Sequence, residues 1–263
     1  MILQQFSLTG KLAWITGGTH GLGMAMAKAL AQAGATIIVN GNSSREKLDQ
    51  AIQEYQAEGL TVHGFMCDVT NQQQVRELVA HIEKEIGFID ILVNNAGIIK
   101  RIPLVEMDLI DWQQVIDVDL TAPFIVSQTV VKSMIERQQG KIINICSMMS
   151  ELGRQNVGAY AAAKGGLKML TRNMATEWAR YNIQVNGLGP GYFATSQTAP
   201  LRVAGNAFHE FIVNRTPAGK WGEPDELGGA VVFLASAASN FVNGQILYVD
   251  GGLLATIGKP SGE

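Results

Sequence analysis

The chain has 263 residues, a formal net charge of −3 and 47% hydrophobic residues, with no basic block along its length. That balance argues against a nucleic-acid-binding surface. No apolar run approaches the ~18 residues of a membrane span and the amino terminus lacks the charged and apolar regions of a signal peptide, so a cytoplasmic protein is expected.

No Pro/Ser-rich linker or charge run divides the sequence, which is read as one domain over 1–263. Its 29 glycines suit a sheet covered by helices and joined by tight turns. Cys67 and Cys146 fall at apolar strand ends without metal-ligand spacing and read as buried free thiols of a reducing compartment; no metal site is expected.

Residues 11–16 (KLAWIT) form a short apolar strand that stops in Gly17-Gly18-Thr19-His20-Gly21-Leu22-Gly23 and restarts as an Ala-rich helix from Met24 to Ala33. Glycines permit a sharp turn and let backbone N–H groups approach a pyrophosphate at a helix amino terminus. The spacing is Gly17-x-x-x-Gly21-x-Gly23 rather than G-x-G-x-x-G, but its place between strand and helix favours a dinucleotide loop over a plain turn. The second strand, ATIIVN, runs into Gly41-Asn42-Ser43-Ser44-Arg45. A carboxylate here would bind ribose hydroxyls and repel a 2′-phosphate. Its absence, with hydroxyls and an arginine nearby, favours NADP(H) while leaving NAD(H) open; the alternative is that Ser43 merely caps the next helix.

That helix, 45–58, leads to a third strand, TVHGFMC, and then Asp68-Val69-Thr70, where Asp68 either accepts from an adenine amino group or caps the helix starting near Asn71. The strand in IDILVNNAG ends in Asn94-Asn95-Ala96-Gly97, whose small residues let backbone pass close to a bound ring while the amides tie strand ends together. A long helix from Asp111 to Glu136 follows, bent at Pro123. After a strand to Ile145 come Ser147, a polar loop, and an Ala-rich helix bearing Tyr160 and Lys164, which share a face at i and i+4. A Tyr-x-x-x-Lys pair on an ordinary helix is a packed ring and a solvated amine. Beside a cation, however, a phenol whose unperturbed pKa is about 10 becomes a usable base, and Ser147 can bind a substrate oxygen. A sixth strand, NIQVNGLGP, leads to Pro190-Gly191 and Thr195; an irregular lid or specificity segment is expected over about 193–221, then a helix from Glu223 to Ala237 and a last strand in GQILYVDGG. Alternating strands and helices imply an α/β doubly wound parallel sheet with helices on both faces and ligands at the strands' carboxyl ends.

Arg154, seven residues after Ser147, and Lys100-Arg101, after the Asn94–Gly97 turn, are candidates to bind a substrate carboxylate, for which a forked guanidinium is best suited. The alternative is that they are solvated surface charges.

Thr16-Gly17-x-x-x-Gly21-x-Gly23, Asn94-Asn95-Ala96-Gly97, Ser147, Tyr160-x-x-x-Lys164 and Pro190-Gly191-x-x-x-Thr195, in this order over nearly the whole chain, resemble the short-chain dehydrogenase/reductase family. The resemblance implies a seven-stranded Rossmann-type sheet and a homotetramer or homodimer. It implies Tyr160 as acid/base, Ser147 orienting the substrate oxygen, Lys164 on the nicotinamide ribose and Thr195 near the carboxamide. Cofactor contacts are expected at Gly17, Thr19, His20, Gly21, Leu22, Gly23, Ser43, Ser44, Arg45, Asp68, Val69, Asn94, Ala96, Gly97, Tyr160, Lys164, Pro190, Gly191 and Thr195, and substrate contacts at Ser147, Arg154, Tyr160 and Arg101. Members commonly carry an asparagine in the long helix, helping to hold a relay water near the lysine. The matching residue here is Asp119, which cannot donate unless protonated but would favour a charged Lys164.

Within the family, ICSMMSELGR, GPGYF and RTPAGKWGEP look most like members that interconvert D-gluconate and 5-keto-D-gluconate. Reductases of 2-keto-3-deoxygluconate and of uronate-pathway ketones share much of the pattern. A catalytically silent nucleotide-sensing scaffold, suggested only by Asp119, is the alternative of a different class.

Overall fold

The computed structural model describes residues 1–258. Seven strands, β1 Leu12–Thr16, β2 Thr36–Gly41, β3 Val62–Met66, β4 Ile91–Asn94, β5 Gly140–Ile145, β6 Ile183–Pro190 and β7 Ile246–Val249, pair in the order β3-β2-β1-β4-β5-β6-β7. Every pairing is parallel. A parallel strand covered on both faces is mostly apolar on both; β1 is buried at every position, and so is β6, whose buried Asn186 is satisfied by the Val242 carbonyl and the Gln245 N–H.

Successive side chains of a strand point to opposite faces, which divides the core in two. Ala13, Ile15, Ile37, Val39, Ile91 and Val93 face a layer containing Met26 and Leu30 of α1 (Gly21–Gln32), Leu48 and Tyr55 of α2 (Arg45–Ala57), and Val231 and Leu234. Trp14, Ile38, Leu92 and Ile142 face the other layer, with Val75 and Ile82 of α3 (Gln72–Glu85), Val130 and Met134 of α5 (Ala122–Arg137), and Met174 of α6 (Gly158–Trp178). The strand order reverses between β1 and β4, which opens the crevice at their carboxyl ends where such sheets bind ligands.

The long helix expected over 111–136 has a different build. Asp108 caps α4, Leu109–Ile116, by accepting the Asp111 N–H at 2.7 Å, and a π turn over Asp117–Thr121 joins it to α5. Pro123 has no N–H for the carbonyl of Asp119, and the widened turn immediately before it accommodates that loss without a break.

The first helix begins at Gly21, three residues before the expected Met24, because two of the loop glycines lie inside its first turn. The segment 193–221 is more ordered than the sequence suggested. It holds a 3-10 turn, Ser196–Leu201, and α7, Ala207–Arg215, which is capped by Asn206 and anchored by buried Ile212. The helix expected over 223–237 resolves into a 3-10 turn, Pro224–Leu227, and α8, Gly228–Ala235. No helix among the described residues is long and apolar enough to cross a membrane.

Candidate active site

The carboxyl end of β5 delivers Ser147, buried to 7% exposure, as the cap of a short 3-10 turn over Met148–Ser150. Its Oγ accepts the Met149 N–H at 3.1 Å, so the hydroxyl hydrogen remains free to donate. The turn is tied to α6 by Ser150 Oγ, which donates to the Lys164 carbonyl at 2.9 Å, and by the packing of Tyr160 against Met148 and Met149.

Lys164 Nζ donates to the Ile145 carbonyl at 2.8 Å, two residues before Ser147, and lies 5.5 Å from the centre of the Tyr160 ring. Asp119 projects from the π turn to within 3.3 Å of the same ammonium through Oδ2, while its Oδ1 accepts the Ile98 N–H at 2.7 Å. Oδ2 has no partner of hydrogen-bond geometry among the described residues, so its contact with Lys164 is an ion pair. Burial pulls the Lys164 ammonium down, but Asp119 and Tyr160 outweigh it and the net direction is upward. Burial pushes the Asp119 carboxyl up, opposed by Lys164 and by the Ile98 amide.

The loop after β1 takes left-handed backbone at Gly17 (φ +65°) and Gly21 (φ +56°), which side chains would strain. Gly23 has another reason to be glycine: a Cβ there would sit 2.4 Å from Asn95 Nδ2, whose amide ties the β4 end to the carbonyls of Thr16 and Gly17. At Gly97 the missing Cβ makes room for Asp119 Oδ2, which would lie 2.9 Å from it. Thr19 Oγ1 pairs with His20 Nδ1, and His20 caps α1 with no side-chain hydrogen bond, leaving the first-turn amides open to an anion. Leu22 packs on the core beneath this turn. Thr195 Cγ2 lies 4.0 Å from where a Gly21 Cβ would be, so the loop following β6 meets this one. Pro190 ends β6, and Gly191 abuts the Asp250 backbone.

At the end of β2 the structure separates the two readings of the serines. Ser44, not Ser43, caps α2 by accepting the Lys47 N–H, leaving Ser43 exposed beside Asn42. Arg45 pairs with Asp49 at 3.0 Å on the surface. A loop with no carboxylate, exposed hydroxyl and amide groups, and an arginine one turn away fits a phosphorylated ribose. Asp68 is not the cap of α3: it accepts from the N–H and Oγ1 of Thr70, and Asn71 caps the helix. Val69 is buried. Asn94 spends both amide hydrogens inside the sheet, on Ser127 and Asn144, and Ala96 donates its N–H to Thr16 Oγ1.

Of the proposed carboxylate ligands, Lys100 is paired with Asp111 and Arg101 is exposed. Arg154 reaches the site. Its Nη1 donates to Tyr192 Oη at 2.9 Å and its guanidinium lies 5.1 Å from the Phe208 ring centre, with no carboxylate at ion-pair distance among the described residues. Sequence reasoning did not single out Tyr192, Phe208 and Trp221, whose rings pack edge to face on one another, the first two against this guanidinium. Their only signal was the density of aromatic residues between 192 and 221. Cys67 and Cys146 are buried free thiols, both pushed up to about 11 by burial, and neither is poised to react.

A nucleotide loop at the sheet's reversal point and a Ser, Tyr and Lys gathered at the adjoining strand end define a nicotinamide-dependent oxidoreductase scaffold. The chain belongs to the short-chain dehydrogenase/reductase family. The family model that matches, over residues 17–254, is described as Enoyl-(Acyl carrier protein) reductase. A 2-dehydro-3-deoxy-D-gluconate 5-dehydrogenase of Formosa agariphila is 66% identical over 263 residues, the whole of both chains. A gluconate 5-dehydrogenase of Gluconobacter oxydans is 49% identical over 252 residues, covering 96% of this chain and 98% of its own. The crystal structure of a gluconate 5-dehydrogenase from Burkholderia cenocepacia in complex with NADP and tartrate matches with a TM-score of 0.93 at 47% identity, over 98% of this chain and 100% of that one.

Proposed function

We propose that this chain is an NADP(H)-dependent oxidoreductase acting at C5 of a six-carbon sugar acid, with D-gluconate and 5-keto-D-gluconate as its substrate pair. The single observation that carries the chemistry is Lys164 Nζ held at 2.8 Å on the Ile145 carbonyl, two residues before Ser147, and 5.5 Å from the Tyr160 ring centre. Ser147 donates its free hydroxyl hydrogen to the substrate oxygen, and Tyr160 exchanges the proton with that oxygen. The fixed ammonium of Lys164 holds positive charge beside the phenol and has a hydrogen left for the nicotinamide ribose. The nicotinamide supplies or accepts the hydride. Arg154, with no carboxylate partner among the described residues, takes the acid group of the substrate.

C5 is the position named in both sugar-acid relatives, and the 66% identity to a 2-dehydro-3-deoxy-D-gluconate 5-dehydrogenase favours a second reading, in which the ketone pair is that of 2-dehydro-3-deoxy-D-gluconate. The exposed, carboxylate-free loop at Asn42 and Ser43 and the NADP in the Burkholderia structure support NADP(H) over NAD(H). Exposed Leu109, Ile110, Phe124 and Met169 suit a homodimer or homotetramer, and two free thiols accord with a reducing, cytoplasmic compartment. The segment 193–221 is the substrate lid of a single domain.

The test follows oxidation of NADPH and NADH by the purified protein with 5-keto-D-gluconate and with the 2,5-diketo form of 3-deoxygluconate, using Tyr160→Phe as control. NADPH-dependent turnover of the first ketone that disappears in the control supports the proposal, and turnover of the second alone selects the second reading. A Tyr160→Phe protein as active as the wild type would overturn the acid/base role.

A further inference from the structure

The Arg154 guanidinium does not enter the site alone. Tyr192, on the loop after β6, packs on the same Met148, Met149, Val157 and Leu253 cluster as Tyr160, which places the two tyrosines on one patch of core. Its ring is fixed on the far side by edge contacts with Phe208 at 5.7 Å and Trp221 at 5.4 Å, and Trp221 is itself held by its Nε1 hydrogen bond to His209 Nδ1 at 3.1 Å. Arg154 Nη1 donates into the phenol oxygen, and a guanidinium has no acceptor to offer in return. The phenolic hydrogen of Tyr192 therefore has no acceptor among the described residues, while the arginine beside it has no carboxylate. Two unspent donors of this kind, one charged and one neutral, make a slot for a small oxyanion.

We propose that Tyr192 is a substrate-binding residue that reads the acid group of the substrate together with Arg154, donating its phenolic hydrogen to the carboxylate that the guanidinium neutralises. The inference rests on the sugar-acid reading above and adds the second donor. Burial keeps Tyr192 in the phenol form, upward of its ordinary value against the pull of Arg154, so the hydrogen is present at working pH. Phe208 and Trp221, both from the segment 193–221, press on the same ring and fix its orientation.

Tyr192→Phe removes the donor and keeps the ring. Steady-state kinetics with NADP⁺ would compare the sugar acid that the wild-type protein oxidises, D-gluconate or 2-dehydro-3-deoxy-D-gluconate, with the primary amide of the same acid, which has nearly the same shape and no charge. The expected result is a KM for the acid raised about tenfold or more, kcat within about twofold, and a KM for the amide raised only about threefold, because the neutral amide oxygen accepts a weaker hydrogen bond than the carboxylate does. NADPH affinity, read by fluorescence titration, stays at the wild-type value. An unchanged KM for the acid, or equal rises for acid and amide, would overturn the role of Tyr192 while leaving the sugar-acid activity standing. A wild-type protein that turns over neither acid would overturn that activity and this inference with it.

Discussion

Asp119 Oδ2 and Lys164 Nζ lie 3.3 Å apart with side-chain exposures of 0% and 5%, so the ammonium at the centre of the site is countered by a carboxylate that water does not reach. Removing one member of such a pair leaves the other charge buried and uncompensated, which typically costs about 3–5 kcal/mol. Asp119→Ala also strips the acceptor from the Ile98 N–H and is expected to fall in that range by urea denaturation at pH 7.

The pH dependence separates charge from shape. In the wild type the Lys164 pKa is raised, so its contribution to stability is complete below the unfolded value of about 10.4 and is lost as pH rises through the folded value. In Asp119→Asn the burial that lowers the lysine is left unopposed by the carboxylate. The folded value then falls below the unfolded one, and the penalty is greatest where the lysine is charged. The stability gap between wild type and Asp119→Asn is thus expected to be widest near neutral pH and to narrow above about pH 10. Urea midpoints across that range check it, and a gap independent of pH would assign Asp119 a purely steric role.

The strands were legible because a doubly covered parallel sheet favours unbroken apolar runs, and residues 12–15 are such a run, buried at every position. Ser147, Tyr160 and Lys164 were legible because one strand end and one helix face set their spacing. What was hidden depends on contacts distant in sequence. Gly97 reads as a residue that lets backbone pass close to a ligand; that its missing Cβ also clears a carboxylate oxygen 22 positions on has no signal in the sequence. The π turn at Asp117–Thr121 has no signal in helix propensity, and Tyr192 becomes a candidate only when Arg154, 38 residues earlier, is seen to bond it.

Gly23 and Gly229 give a matched pair of glycine tests. A methyl at position 23 would stand 2.4 Å from Asn95 Nδ2 and 2.7 Å from the Gly17 carbonyl, breaking the tie that shapes the nucleotide loop. Gly23→Ala is expected to cost about 1–3 kcal/mol by overpacking and to weaken NADPH binding. Gly229 lies in α8 with no atom within 4 Å of its would-be Cβ, so Gly229→Ala is expected to stabilise by up to about 1 kcal/mol and leave binding alone. Thermal melts with and without NADPH distinguish the two.

The Arg45–Asp49 pair has side chains 67% and 48% exposed, and such pairs are worth less than about 1 kcal/mol. Arg45 is therefore easily recruited by a phosphate beside Ser43. Arg45→Ala is expected to raise the NADPH dissociation constant several-fold and leave that of NADH unchanged. Ser43→Asp, which places a like charge against the 2′-phosphate, is expected to raise it further and lower the preference for NADPH over NADH at least about tenfold. Fluorescence titration with both nucleotides measures the ratio, and parallel losses for the two would reject the phosphate site at this loop.

Ser147 has one role that the structure shows and one that is proposed, and melting temperature and rate read them separately. Its oxygen accepts the Met149 N–H and so caps the 3-10 turn, while its hydrogen is the one the proposed mechanism gives to the substrate oxygen. Ser147→Ala loses both. The cap is worth about 0.5–2 kcal/mol of stability, whereas a hydrogen bond that strengthens in the transition state is worth about 10²–10³ in kcat. Ser147→Thr keeps the hydroxyl and is expected to retain the wild-type melting temperature and a substantial part of the rate. The alanine protein should therefore be folded at assay temperature, melt slightly lower and be slower by about a hundredfold or more, with its NADPH affinity intact. A drop in kcat of less than about tenfold in Ser147→Ala would mean that the substrate oxygen finds its donor elsewhere.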